Sequence, residues 1–357
     1  MDRLARATRL LHALRGEPVD TTPVWFMRQA GRSLPEYRKV RERARLVDIV
    51  GDASLCAEVS LQPVWRLDVD AAIEFADITT PLPGAGVEVE LVDGVGPVIA
   101  RPIRTAADVA RIRPFDPVAS VGPLLDAIRL LRRESPVPVI GFAGAPFTLA
   151  AYLVEGRSPR ELAATKALMH AEPETWDALL ERIVDLDLAY LRAQVAAGAQ
   201  VVQLFDSWVG KLSPYDYRRS VMPHVHRLFA GLADLGVPTI HFGTGTAGLL
   251  EAMAEAGGDA IGLDWTVELA EGRRRVGGRP VQGNLDPHLL LGPWAATADQ
   301  AHWVLDQAGG RPGHVFNLGH GVLPATDPEH LRRLVDLVHA HPLGGADGVD
   351  PATMAVG

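Results

Sequence analysis

Residues 174–207, ETWDALLERIVDLDLAYLRAQVAAGAQVVQLFDS, contain one whole structural unit. Apolar side chains recur at helical spacing as far as Ala197, and Gly198 ends the pattern, as glycine commonly does just past a helix. AQVVQLFDS (199–207) follows, a short apolar run with two polar residues at its end. A run that is apolar throughout, without alternation, fits a parallel strand covered on both faces. The same kind of run occurs at TPVWFM (22–27), DAAIEFADIT (70–79), PVPVIGFAG (136–144), PTIHFG (238–243), DAIGLD (259–264), PVQGNL (280–285) and HVFNLG (314–319). Helical patterns lie between the runs, among them AGLLEAMAEAGG (247–258), again closed by glycines. Eight such units predict a single (β/α)8 TIM-type barrel over residues 1–343. VEVELVDGVGPVIA (87–100) alternates and carries Asp93-Gly94, which predicts a small hairpin inserted after strand two. The segment from Gly344 to Gly357 is small and polar and reads as a disordered tail. A doubly wound open sheet is the alternative architecture for the same pattern.

The 357 residues are 47 % hydrophobic and 22 % charged, which suits a globular enzyme with a large core. A net charge of −9 argues against nucleic acid as a partner. An acidic chain that binds an anion needs a local basic cluster, and EYRKVRERAR (36–45) is the densest one. Cys56 is the only cysteine, which excludes an internal disulfide and any zinc site needing two thiolates. No run of about 18 uninterrupted apolar residues predicts a membrane span. MDRLARATRLLHALRGEP, at the start, alternates basic and apolar residues without a signal-type apolar core, so an amphipathic first helix and a cytoplasmic location are expected.

In a barrel the active site lies at the carboxyl ends of the strands. That rule places Arg28, Asp77, Gly144, Asp206-Ser207, Gly243, Asp264, Asn284 and Gly319-His320 on one rim. Either Arg28 or Arg32 alone could serve structure, by pairing with a barrel carboxylate. Together, with Gln29 and Gly31 between them, they read as a clamp for carboxylate or phosphate. Asp77 closes a long apolar run with no helix pattern directly after it, which favours function over capping. Ser207 after Asp206 could be an ordinary helix cap, and Tyr152 in FTLAAYLVEG could be core. His320 sits between glycines in NLGHGVLP, with little local helix to pack on. His224 and His226 are two apart on a helical pattern, so they do not share a face and are discounted as metal ligands. GTGTAG (243–248) matches the dinucleotide fingerprint, with Asp264 further on. Such a unit normally starts its domain, whereas this one is the fifth of eight, so carboxylate binding or close packing is the preferred reading.

PVWFMRQAGRSLPEYR near the N-terminus and GFAGAPFTLAAYLVEG (141–156) resemble blocks of the uroporphyrinogen decarboxylase family. FADI (75–78), QLFDSWVG (203–210), QGNLDP (282–287) and NLGHGVLPATDPEH (317–330) extend the resemblance, in family order, over nearly the whole chain. One departure is Ser33, where the family usually carries tyrosine; it is expected to alter packing under the loop more than chemistry. The resemblance implies a (β/α)8 barrel acting as a homodimer with no cofactor and no metal. The implied reaction removes carbon dioxide from the four acetate arms of uroporphyrinogen III, giving coproporphyrinogen III. Carried over by motif position, Arg28, Gln29, Ala30, Gly31 and Arg32 form the substrate loop, with Arg28 also catalytic. Asp77 stands at the pyrrole centre, Tyr152, Ser207 and His320 line the cleft, and Arg41 is directed towards substrate. Arginine has been assigned as proton donor in the family's mechanism, but a guanidinium pKa above about 12 makes it a reluctant acid, and a substrate carboxylic acid or a relayed water is the alternative. The main rival is the related barrel methyltransferases, which hold zinc with one histidine and two cysteines. Here His241 opens HFG where that group has H-x-C, and Cys56 is the only thiol. A nicotinamide-dependent oxidoreductase would rest on GTGTAG alone, and a non-catalytic barrel leaves the set of rim residues without a role.

Overall fold

The computed structural model describes residues 3–343 apart from Asp93 and Arg160, so Asp93 of the expected turn and the tail 344–357 lie outside the described residues. The N-terminal amphipathic pattern forms a helix, Arg3–Leu14. The strands are β1 (Ala72–Ile73), β2 (Val89–Val92), β3 (Gly96–Ile99), β4 (Val139–Gly144), β5 (Val201–Asp206), β6 (Thr239–Gly243), β7 (Ala260–Gly262), β8 (Val281–Leu285) and β9 (His314–Leu318). Seven of them make one parallel sheet in the order β1-β4-β5-β6-β7-β8-β9, and β2 pairs antiparallel with β3 apart from it. The register keeps strand ends level: Gly144 lies opposite Phe205, Asp206 opposite Gly243 and Leu285 opposite Leu318. Side chains at the carboxyl ends of neighbouring strands therefore meet at one rim.

Of the eight expected strands, the first does not form as a ladder. Val24 makes a single parallel bridge to Phe316. The reason is local and polar. Pro23 has no N–H to give, and the N–H groups of Val24, Phe26 and Met27 go to the side chains of Asp70, Gln29 and Asn317. The same stretch nevertheless reaches both edges of the sheet. Asp70 N donates to Val24 O at 2.8 Å beside β1, and Phe316 N donates to Pro23 O at 2.8 Å in β9. The sheet is thus curled until its two edges stand either side of residues 23–26. The long second run, 70–79, shortens to Ala72–Ile73, because beyond Phe75 the chain turns around Asp77.

Helices cover the outer face. The helix Pro173–Ala197 places Leu179, Leu180, Ile183 and Leu191 in the core, and Gln194 Nε2 donates to Phe142 O at 2.9 Å across β4. Gly141 is required beneath it, since a Cβ there would collide with the Gln194 side chain. Trp25, Gln282 and Gln203 form a buried polar row, with Trp25 Nε1 donating to Gln282 Oε1 at 2.9 Å and Gln282 Nε2 to Gln203 Oε1 at 3.0 Å.

Candidate active site

A cleft of about 1330 Å³ opens beside the rim. Its lining includes Arg28, Gln29, Ala30, Gly31, Arg32, Arg41, Asp77, Tyr152, Ser207 and His320, so all ten residues singled out from the sequence meet there. Gly144, Asp206, Gly243, Asp264 and Asn284, expected on the same rim, are not among the residues that face it.

The basic loop is held by its own backbone chemistry. Gln29 is fully buried, and its amide is spent on the chain, accepting from Phe26 N at 3.0 Å and donating to Ala71 O at 2.9 Å. Arg28 has φ +60°, a left-handed conformation uncommon for a residue with a side chain. It throws the guanidinium out into the cleft, and its stem crosses Gly321, where a Cβ would come within 2.6 Å of Arg28 Cδ. Gly31 is equally constrained, because a Cβ would stand 2.9 Å from the Phe75 ring. Burial pushes the Arg32 pKa down, and the nearby Arg28 charge pushes it further. Among the described residues neither guanidinium has a carboxylate partner in ion-pairing contact. Two like charges held together with no carboxylate in ion-pairing contact, Asp77 acting on Arg32 only from longer range, form a site for a polyanion. Ser33, below the loop, is 2 % exposed, and its hydroxyl finds no partner among the described residues. Arg41 ends the helix Pro35–Arg41 and donates to Ala44 O at 2.9 Å.

Asp77 sits in a tight turn. Its Oδ1 accepts from Thr79 N at 2.9 Å and Thr79 Oγ1 at 2.6 Å, while its own N–H donates to Thr80 Oγ1 at 3.0 Å. These bonds fix the carboxylate by one oxygen and leave Oδ2 without a hydrogen bond among the described residues. No α-helix follows; the next element is the short 3-10 turn Leu82–Ala85.

His320 follows β9. Its Nδ1 accepts from Gly321 N at 2.6 Å, which puts the ring proton on Nε2. Burial, with Arg28 and Arg32 adding to it, pushes its pKa down to about 4, so the ring is a neutral donor at physiological pH. Tyr152 lies on the helix Pro146–Glu155, nine-tenths buried, and burial raises its pKa. Ser207 comes from the end of β5, where its carbonyl accepts from Thr244 Oγ1 at 2.6 Å. Asp206, beside it, caps nothing. Its side chain is fully buried, Oδ1 accepts from Thr148 Oγ1 at 2.7 Å, and Oδ2 lies 3.9 Å from His241 Nε2 behind the cleft. Trp208 and Tyr37 also line the cleft and were not singled out from the sequence. Trp208 directly follows Ser207 and could have been found by extending the strand end one residue; Tyr37, inside a basic helix, carries no such signal.

The glycine-rich loop 243–248 is accounted for by packing. Asp264 accepts from Gly245 N and from Thr266 N at 2.9 Å, so it is not available to a ribose. Gly210 packs directly against the backbone of Thr244 and Gly245, and the helix after the loop, Leu250–Ala256, has only seven residues. His224 is buried between Asp177 and Glu181 at 3.2 Å each, while His226 is exposed. Among the described residues no three or more of His, Cys, Asp and Glu gather as metal ligands.

The family model for uroporphyrinogen decarboxylase matches residues 5–341. A uroporphyrinogen decarboxylase of Thermus thermophilus is 54 % identical over 329 residues, covering 92 % of this chain and 96 % of the relative. One of Streptomyces coelicolor is 55 % identical over 331 residues, covering 92 % and 93 %. The chain belongs to the uroporphyrinogen decarboxylase family. A methyltransferase from Methanosarcina mazei has a similar fold, with a TM-score of 0.75 over 93 % of this chain and 98 % of that one, at 22 % identity. That likeness concerns the fold alone, and His241, the residue on which zinc chemistry would turn, packs against Phe229 outside the cleft. For a member of the decarboxylase family, the unpaired arginines and the half-free carboxylate are the features that call for explanation.

Proposed function

We propose that this chain is a uroporphyrinogen decarboxylase, removing carbon dioxide from the four acetate arms of uroporphyrinogen III to give coproporphyrinogen III. The observation that carries the reading is the pairing of Arg28 and Arg32, both without carboxylate partners among the described residues, with an Asp77 carboxylate held by one oxygen only. The substrate has eight carboxylates, so binding it relieves the repulsion between the two guanidiniums. A cleft of about 1330 Å³ exceeds the roughly 300–1,000 Å³ usual for small ligands and suits a macrocycle. We read the bridge at Val24 as the eighth wall of a (β/α)8 barrel spanning 1–343, the β2–β3 pair as an insertion after the second wall, and the enzyme as a cytoplasmic homodimer. No helix among the described residues is long and apolar enough to cross a membrane.

In each round a pyrrole carbon takes a proton, and the ring becomes an electron sink. The bond between the arm's methylene and its carboxylate then breaks, carbon dioxide leaves, and the electron pair enters the ring. A proton delivered to the methylene makes the methyl, and the ring carbon gives its proton back. One proton is consumed for each carbon dioxide. Asp77 Oδ2 accepts from the pyrrole N–H groups and opposes the charge on the ring. Arg28, Arg32 and Arg41 hold carboxylate arms, Tyr152 and Ser207 offer hydroxyl donors, and His320 offers Nε2–H as a neutral donor. The test is incubation of the purified protein with uroporphyrinogen under reducing conditions, counting the carboxyls that remain by chromatography. Four lost carboxyls are expected; an unchanged octacarboxylate would overturn the reading.

A further inference from the structure

Trp208 stands between the buried Asp206 behind the site and the cleft itself. Its backbone N–H donates to Thr148 Oγ1 at 3.2 Å, and the same hydroxyl donates to Asp206 Oδ1 at 2.7 Å. That relay fixes the residue where β5 ends. The indole forms part of the cleft wall and meets the Tyr152 ring edge-on, with centroids 6.3 Å apart at 64°. Its Nε1–H is buried, and no hydrogen bond to it is completed among the described residues. A buried donor left open is rare and costs stability, so a rigid one at a binding cleft points to a use.

We propose that Trp208 is a positioning residue: its indole N–H is given to the Tyr152 hydroxyl oxygen when the cleft is filled, turning the Tyr152 O–H towards a carboxylate of the bound substrate. Chemistry fixes the direction. Indole nitrogen only donates, whereas a phenol both donates and accepts. Once the phenol oxygen accepts from Trp208, its remaining hydrogen is free for an anion, and accepting one bond strengthens the one it gives. Ser158 and Trp208 both draw the Tyr152 pKa back from the value to which burial raises it, as donors near that oxygen do. The inference rests on the decarboxylase reading for the identity of the anion.

The test is Trp208→benzothienylalanine, which keeps the bicyclic shape and replaces N–H by sulfur, beside Trp208→Phe, Tyr152→Phe and the double replacements. Binding of uroporphyrin, the oxidised octacarboxylate that does not react, is followed by the porphyrin's own fluorescence, and turnover of uroporphyrinogen is measured in parallel. The isostere is expected to unfold at the wild-type temperature yet lose about tenfold in binding and in kcat/KM, the scale of one net hydrogen bond. In the Tyr152→Phe background it should have no further effect, because the group it acts on is gone. Unchanged binding by the isostere, or losses that multiply in the double variant, would overturn the proposal. Wild-type protein that binds uroporphyrin without decarboxylating uroporphyrinogen would remove the decarboxylase reading and leave Trp208 to be judged on binding. Wild-type protein that binds neither would overturn both.

Discussion

At Asp77 one carboxylate oxygen takes two hydrogen bonds from Thr79 and the other takes none among the described residues. Asparagine can repeat the first arrangement through its carbonyl oxygen, so Asp77→Asn should fold as the wild type does. It cannot oppose a positive ring. The variant is expected to bind uroporphyrin appreciably but to turn over about a hundredfold more slowly, the scale of one lost electrostatic stabiliser, measured by steady-state kinetics. Turnover at the wild-type rate would take Asp77 out of the mechanism. Arg32 poses the converse question, since it sits beside Arg28 with no ion-pair partner among the described residues. Arg32→Ala should lower kcat/KM by an amount worth roughly 2–4 kcal/mol, as expected for a lost charge-assisted contact. Its resistance to urea should be unchanged or slightly improved, because a repulsion has been removed. A variant that unfolds more easily but keeps full activity would make Arg32 a structural residue.

At the scale of elements, one carboxylate gathers four pieces of chain. Asp70 is fully buried; its Oδ1 accepts from Arg9 of the first helix at 2.6 Å, and its Oδ2 accepts from Val24 N at 2.9 Å and from His339 Nε2 at 2.7 Å. His339 belongs to the helix Pro328–Ala340, and Asp70 itself leads into β1. Arg9 is 1 % exposed and also grips Asp20 through two bonds. This network binds the helices Arg3–Leu14 and Pro328–Ala340 to the place where the sheet's edges meet. Asp70→Ala leaves Arg9 with Asp20 alone and takes the acceptor from the buried Val24 N–H, so a loss of about 1–3 kcal/mol in unfolding free energy is expected from urea titration. A loss below about 1 kcal/mol would mean that the edges hold without the clasp.

For the whole molecule, pH is the revealing variable. Glu74 is 2 % exposed between the sheet and its helices, and neither oxygen has a hydrogen-bond partner among the described residues. Burial pushes its pKa from 4.5 up to about 8. Asp187, on the helix Pro173–Ala197, is likewise buried with both oxygens unpartnered, and burial raises its pKa well above the usual range. Between pH 4.5 and about 8 the unfolded chain ionises Glu74 while the folded protein keeps it protonated. The unfolded state then binds fewer protons, so stability falls as pH rises, by up to about 1.4 kcal/mol per unit for one such group. Glu74→Gln removes the group's ionisation at little change in shape. Thermal unfolding of the variant should match the wild type near pH 5 and occur at a higher temperature near pH 8. Equal melting at both pH values would show that Glu74 is not held protonated.

What the sequence determined by itself was the order and kind of the parts. Apolar runs without alternation marked six strands from β4 to β9, because strands covered on both faces have no polar positions to alternate with. The motif blocks marked residues that line the cleft, whereas position at a strand end did not suffice, since Gly144, Asp206, Gly243, Asp264 and Asn284 are not among the residues that face it. Tertiary structure decided the rest. TPVWFM reads as a strand, yet its N–H groups are taken by the neighbouring Gln29 and by Asp70 and Asn317, two side chains that only folding brings near. GTGTAG fits a dinucleotide fingerprint letter by letter, but Gly245 lies against Gly210, Gly243 against Thr246 and Val209, and its acid is spent on Gly245 and Thr266. Asp206, Asp264 and Asn284 stand at strand ends as expected, while neighbouring helices and loops claim their polar atoms. Spacing along a chain sets which way a side chain can point; whether its hydrogen bonds are already used depends on partners as close as Thr266 to Asp264 and as distant as Asn317 to Met27.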